Sequence, residues 1–315
     1  MNKKIDVLIP AFNEEDCVEE LARRLISVFQ NESNYDFTVY VIENGSTDNT
    51  WQKLQRISDT DPRFVVIKLS RNFRMDGGLT AGLEFATGDA CVLMCADLQD
   101  PPEVISDFLR KWEEGFENIY AVIRERQGTS LLRRFNSRLF YKLATFLTSG
   151  NLPENASDFR LIDRRVYVAV RGMTERNRFI RGLVSWSGFQ SIGIEIVRPE
   201  RFAGESNADT GKVLDLALKG LFANSYKPLK IFSLIGIALG TISFGALFPL
   251  IYYWLIAGVP FAGFGTLVSL FLLGFSTLLY FLSIMAQYIA LIYEEVKMRP
   301  NFIVSQVYDQ RRSEA

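Results

Sequence analysis

Apolar residues in this chain fall into runs of three kinds. Short, nearly continuous runs rich in β-branched residues mark buried strands: Asp6 to Pro10, Phe37 to Ile42, Phe64 to Leu69, Ala90 to Met94 and Ile119 to Ile123. Val18, Leu21, Leu25 and Val28 recur at helical spacing within Glu14 to Phe29. Helical stretches alternate with the strands, so the pattern predicts an α/β domain with a mostly parallel sheet flanked by helices. The third kind is longer. Ile231 to Ala257 and Phe264 to Tyr293 carry no charged side chain, and Glu294 is the first charge after them. About 20 apolar residues cross a bilayer core, so each run reads as a transmembrane helix.

The uncharged link Gly258 to Gly263 contains Pro260, whereas Lys219, Lys227, Lys230, Lys297 and Arg299 flank the other ends of the hairpin. The positive-inside rule therefore puts the large domain and the tail in the cytoplasm, on an integral protein of the cytoplasmic membrane. The expected organisation is a cytosolic α/β domain over 1–210, a juxtamembrane amphipathic helix over 211–230, two membrane helices within 231–293, and a cytosolic tail over 294–315. Pro249 is placed to kink the first membrane helix. Gly236 and Gly240 permit close helix contact, within the hairpin or in a homo-oligomer. The N-terminal apolar run is too short for a signal peptide. An enzyme tethered in this way is expected to act on something held in the bilayer.

Composition narrows the chemistry. A formal net charge of -1 over 315 residues argues against a nucleic-acid partner. Three cysteines without metal-ligand spacing read as reduced thiols. The chain has no histidine, which excludes Ser-His-Asp and Cys-His catalysis and leaves carboxylates to bind metal and handle protons. Polar clusters follow the strands where open sheets bind ligands: PAFNEE, ENGSTDNT and CADLQDPPE. There is no GxGxxG or GxxxxGK[ST] for a phosphate loop. Asp97 and its neighbours supply hard oxygen ligands suited to Mg²⁺ or Mn²⁺. Asp100-Pro101-Pro102-Glu103 also reads as a helix start, with Asp100 as cap and Glu103 closing a capping box.

PAFNEE, ENGSTDNT, LSRNF, LTAGLEFATGD, ADLQDPPE, SDFRLIDRR, RFIRGLVSW and RFAGES occur in that order. The ordered set resembles the polyprenyl-phosphate glycosyltransferases of the GT-A fold. It is similar to dolichyl-phosphate mannose synthases and, with two trailing membrane helices, to bacterial bactoprenol glucosyltransferases. The resemblance implies transfer of a sugar, with inversion, from a nucleotide diphosphate to polyprenyl phosphate. UDP-glucose is the donor it suggests, with GDP-mannose and modified arabinose as the alternatives. It implies that Pro10, Ala11, Asn13, Glu14, Asn44 and Ser46 hold the nucleotide sugar, together with Asp97 and Gln99. Asp97 and Gln99 would carry the metal, and Asp158 would lie near the reacting sugar, orienting or stabilising charge. Arg124, Arg133, Arg134, Ser137 and Arg201 match positions near the acceptor phosphate.

Departures from the family pattern are specific. Glu43-Asn44 replaces paired aspartates, Cys95 replaces the first aspartate of a DxD motif, and the region Arg74-Met75-Asp76 lacks a family lysine. A thiol is a poor ligand for a hard cation, so weakened metal binding is expected. Arg160 and Asp163-Arg164-Arg165 read as partly scaffold. Thr129 to Thr148 and Val213 to Phe222 read as amphipathic helices for the membrane interface. Two other classes compete: a processive polysaccharide synthase, which needs more membrane helices and a QxxRW motif, and a degenerate lipid-phosphate-binding relative, suggested by Cys95.

Overall fold

The computed structural model describes residues 2–123, 156–176, 178–198 and 263–312, with eight separate helical positions between 235 and 256. The elements run β1 (Lys3–Ala11), α1 (Val18–Asn31), β2 (Tyr35–Glu43), α2 (Thr50–Thr60), β3 (Phe64–Leu69), α3 (Arg74–Phe85), β4 (Ala90–Leu93), α4 (Ile105–Glu113) and β5 (Asn118–Ile123). They continue β6 (Ala156–Asp163), α5 (Arg164–Gly172), α6 (Ile180–Trp186), β7 (Ser191–Ile196), α7 (Phe264–Lys297) and β8 (Val304–Tyr308).

All five predicted strands form, within a residue or three at their ends. They lie in one mixed sheet of order β7-β5-β6-β4-β1-β2-β3-β8. Four of its seven pairings are parallel and three antiparallel. The β1 residues show why. Ile5, Val7 and Ile9 join a core on one face with α1, α2 and α4, while Leu8 joins a core on the other with α3, α5 and α6. A strand covered on both faces is apolar throughout, as parallel sheets require. In α1 the buried face is Val18, Leu21, Ala22, Leu25, Val28 and Phe29, the 3.6-residue stripe of an amphipathic helix.

The hydrophobic pattern has no counterpart for β6, β7 and β8. β6 has charged residues within it, and β7 and β8 are largely exposed. β8 matters most for position: the segment after α7 returns to the sheet and pairs with β3 as an edge strand.

Among the described residues no helix is long and apolar enough to cross a membrane. The whole sequence of α7, 34 residues, is charge-free from Phe264 to Tyr293. Most of the first predicted span, and both predicted interfacial helices, lie outside the described residues.

Candidate active site

Strand directions gather the polar loops at one edge. β1, β2, β3 and β4 run parallel, so the turns after them share that edge. β6 is antiparallel to β4, pairing Leu93 with Arg160, which sets the start of β6 beside the end of β4. β7 is parallel to β5 and ends at the same edge. Asp97, Asp158 and Arg198 are brought together there from segments far apart in sequence.

The turns after β1 and β2 are zipped to each other. Asn13, in the left-handed region at φ 54, donates its backbone N–H to Ser46 Oγ at 3.0 Å and accepts Thr47 N–H on Oδ1 at 2.8 Å. Glu14 N–H donates to Thr50 Oγ1 at 2.9 Å, and Glu15 N–H to Asp48 Oδ2. Gly45 sits at φ +72, and a Cβ there would lie 2.7 Å from the Arg71 carbonyl carbon, so only glycine fits the turn. Pro10, Ala11, Asn13, Glu14, Asn44 and Ser46 therefore share one loop cluster.

Two residues here acquire meanings that the motif alone lacks. Asn44 is buried and uses both ends of its amide on the start of α3: Oδ1 accepts Phe73 N–H at 2.9 Å and Nδ2 donates to the Arg74 carbonyl at 2.8 Å. Glu43 is fully buried; Oε1 accepts the Ser46 N–H, while Oε2 has no hydrogen-bond partner among the described residues. A buried acceptor without a donor costs about 1–3 kcal/mol, which a ligand N–H or O–H would relieve.

After β4 the chain turns at Asp97. Its Oδ1 accepts Gln99 N–H at 3.2 Å, and Leu98 between them is buried at φ 58. A left-handed leucine costs about 1–2 kcal/mol, and such strain clusters at functional sites. Asp100 does not cap the following helix. Pro101 stands at the start of the 3-10 turn Pro102–Val104 with no side-chain cap. Asp100 Oδ2 instead accepts Cys95 N–H at 3.1 Å, and Oδ1 lies 3.4 Å from Arg198 Nη2. Glu103 pairs with Arg24 rather than closing a capping box.

Cys95 lies against Met75, Sγ to Sδ 3.7 Å, so two departures from the family pattern are in contact. Burial, then the Asp100, Asp97 and Asp158 carboxylates, push its thiol well above the ordinary value and keep it neutral. An aspartate there would add another negative charge to that group. Among the described residues no group of three His, Cys, Asp or Glu side chains could hold a metal ion. A divalent cation at Asp97 and Gln99 would need phosphate oxygens to complete its ligands, the usual magnesium arrangement.

On β6, Asp158 is gripped by both arms of Arg181, at 2.9 Å and 2.6 Å. Burial would raise its pKa; the Arg181 fork outweighs this and, with Arg160 and Arg198, holds the carboxyl below its usual range. Arg160 is 2% exposed and donates to the Ser157 carbonyl at 2.9 Å. Burial lowers its pKa to about 10, so it stays charged at neutral pH. Asp163 caps α5 by accepting Arg165 N–H and also accepts Trp112 Nε1–H, in keeping with a scaffold role.

Asp76, in the first turn of α3, accepts Ile180 N–H at 3.0 Å. Burial, with Asp158 adding to it, pushes its pKa from 3.8 up to about 6, against that bond, Arg181 and Arg178. The folded state therefore binds this proton more tightly, and stability falls as pH rises from about 4 to 6. Asp76→Asn is expected to be more stable than wild type at pH 7.5 by up to about 3 kcal/mol. The gap should close near pH 4; thermal melts showing the same gap at both pH values would contradict this.

Arg124, Arg133, Arg134, Ser137 and Arg201 lie outside the described residues. Arg181, Arg198, Asp76 and the Glu43 orphan oxygen were not candidates from sequence. Signals lay in RFIRGLVSW, which holds Arg181, in ENGSTDNT, which holds Glu43, and in the Arg74-Met75-Asp76 departure; Arg198 carried none.

Comparison with known proteins identifies the family. The "Glycosyl transferase family 2" profile matches residues 6–170. The chain is 38% identical to an uncharacterised glycosyltransferase, YkcC, of Bacillus subtilis (strain 168), over 96% of this chain and 93% of that one. It is 35% identical to the bactoprenol glucosyl transferase of Shigella phage SfII, over 96% and 97%. Among solved structures, glucosyl-3-phosphoglycerate synthase from Mycobacterium tuberculosis with UDP aligns at a TM-score of 0.49 and 17% identity, over 70% of this chain and 80% of that one. With the family profile spanning more than half its length and relatives above 30% identity along nearly all of it, the chain belongs to glycosyl transferase family 2 and is a glycosyltransferase related to the bactoprenol glucosyl transferases.

Proposed function

We propose that this glycosyltransferase moves a hexose, glucose from UDP-glucose in the first instance, onto polyprenyl (undecaprenyl) phosphate at the cytoplasmic face of the membrane. One observation carries the reading. α7, charge-free from Phe264 to Tyr293, presents large apolar side chains outward, with Leu270, Phe271, Leu278, Leu282, Ile289 and Ile292 between 50% and 68% exposed. Its end is tied to the catalytic domain, Arg176 N–H donating to Glu295 Oε1 at 2.8 Å, before the chain enters β8 at the site's edge. Thirty-four helical residues extend about 50 Å, more than the roughly 30 Å of hydrocarbon. The phage relative, a bactoprenol glucosyl transferase, points to the same lipid class.

In this reading the loops after β1 and β2 hold the nucleoside, with Glu43 Oε2 accepting a base or ribose hydrogen. Asp97 and Gln99 face the diphosphate. A divalent cation bound there supplies charge stabilisation for the departing diphosphate. An oxygen of the acceptor phosphate forms the new bond to the anomeric carbon as the bond to the diphosphate breaks, its electron pair leaving with the nucleotide. The acceptor's second pKa is about 6, as for phosphoamino acids, so it is ionised at neutral pH without a protein base. Asp158, held ionised by Arg181, orients the sugar or offsets positive charge at the anomeric centre. Arg124, Arg133, Arg134, Ser137 and Arg201 are proposed to bind the acceptor phosphate.

The test is direct: purified protein, undecaprenyl phosphate and a panel of UDP-, GDP- and arabinose-type donors, with and without Mn²⁺, products identified by mass. A glucosyl lipid formed only with UDP-glucose is expected. A different glycolipid would move the donor assignment. Transfer confined to soluble acceptors would remove the lipid reading.

A further inference from the structure

The start of α3 touches several parts of the site. Phe73 and Arg74 are held by the Asn44 amide on the nucleoside side. Met75 lies against Cys95 beside the Asp97 turn. Gly78 is packed so closely on β1 that a Cβ would lie 2.9 Å from the Pro10 Cβ. Asp76 points the other way and takes the backbone N–H of Ile180, the residue before Arg181.

That last contact is unusual for its position. An acid in a helix's first turn ordinarily serves the free N–H groups and dipole of its own helix. Asp76 instead crosses to a different helix, 104 residues on, and fixes the backbone one residue from the arginine that grips Asp158. Phe179 before α6 provides no side-chain cap, and its ring lies under the Arg181 guanidinium, 5.8 Å from centroid to Cζ.

We propose that Asp76 is a positioning residue for sugar transfer: by anchoring the Ile180 N–H it sets where Arg181 holds the Asp158 carboxylate against the reacting sugar. This rests on the reading of Asp158 as lying beside that sugar. A shift of about 1 Å in a positioned group can cost about 10²-fold in rate.

The experiment compares Asp76→Ala, Asp76→Asn, Arg181→Ala, Asp158→Ala and the double variant Asp76→Ala/Arg181→Ala, in the full-length protein with UDP-glucose and undecaprenyl phosphate. Asp76→Ala is expected to lower kcat at least tenfold while KM for the nucleotide sugar changes less than threefold. Its Ile180 and Arg181 amides should exchange hydrogen faster. Asp76→Asn keeps an acceptor oxygen and should recover kcat to within threefold. Because Asp76 acts through Arg181, the double variant should be no slower than Arg181→Ala alone. Wild-type kcat in Asp76→Ala, or a multiplied loss in the double variant, overturns the proposal. Should Asp76→Ala not fold, Asp76→Glu replaces it; the extra methylene displaces α6, and an unchanged kcat overturns the proposal equally. Full activity in Asp158→Ala would instead overturn the underlying reading of Asp158, and the positioning role with it. Loss in Asp158→Ala with none in Asp76→Ala sinks the positioning role alone.

Discussion

Asp97→Asn is expected to lower glycolipid formation by about 10³-fold, equivalent to about 4 kcal/mol of transition-state stabilisation. Asparagine is the informative replacement. Its side-chain oxygen can still accept the Gln99 N–H that closes the turn, so the strained Leu98 conformation persists. What disappears is the negative charge that, with Gln99 and the donor diphosphate, would complete a cation site. The other nearby carboxylates are poor substitutes, because Asp100 is buried and engages Cys95 N–H and Arg198, and Asp158 is held by Arg181. Asp97→Asn should therefore melt within a few degrees of wild type while Mn²⁺ no longer stimulates transfer. Unimpaired turnover in this variant would remove Asp97 from the reaction. Asp97→Ala should be equally inactive and less stable, having lost the turn as well.

Asp158→Asn is expected to lower kcat by about 10²-fold, with the shape of the pH profile unchanged. The ion pair with Arg181 keeps Asp158 deprotonated well below neutral pH, so it titrates outside the working range. Any acidic limb near pH 6 then belongs to the acceptor phosphate, whose second pKa is about 6, or to Asp76, pushed up to about 6, and not to Asp158. That limb should persist in Asp158→Asn. Its disappearance would show Asp158 working as a proton acceptor, contrary to an orienting or electrostatic role. Arg181→Ala should resemble Asp158→Asn in rate but allow Asp158 to titrate higher, because burial is then opposed only by Arg160 and Arg198.

The strands of the central sheet were legible because each is covered on both faces and so is nearly all apolar. The outer strands were not: β7 and β8 are half exposed, and β6 carries Asp158, Arg160 and Asp163 for reasons of site and scaffold. The cap reading of Asp100 failed for a related reason. Local spacing favours a capping box, yet Cys95 N–H and Arg198, reached only through the fold, claim the carboxylate.

Sequence alone determined the α/β architecture, the loops after β1, β2 and β4 as the chemical face, and the charge-free segments at the C-terminal side. Those properties are written in local periodicity and in which residue types are absent. Only the tertiary structure decided which charges meet. β6 runs antiparallel to β4, so Asp158 arrives beside Asp97; α3 and α6 converge, so Asp76 reaches Ile180; and the segment after α7 closes the sheet as β8. Pairings between residues tens to hundreds of positions apart depend on strand direction and helix docking, which no local pattern encodes.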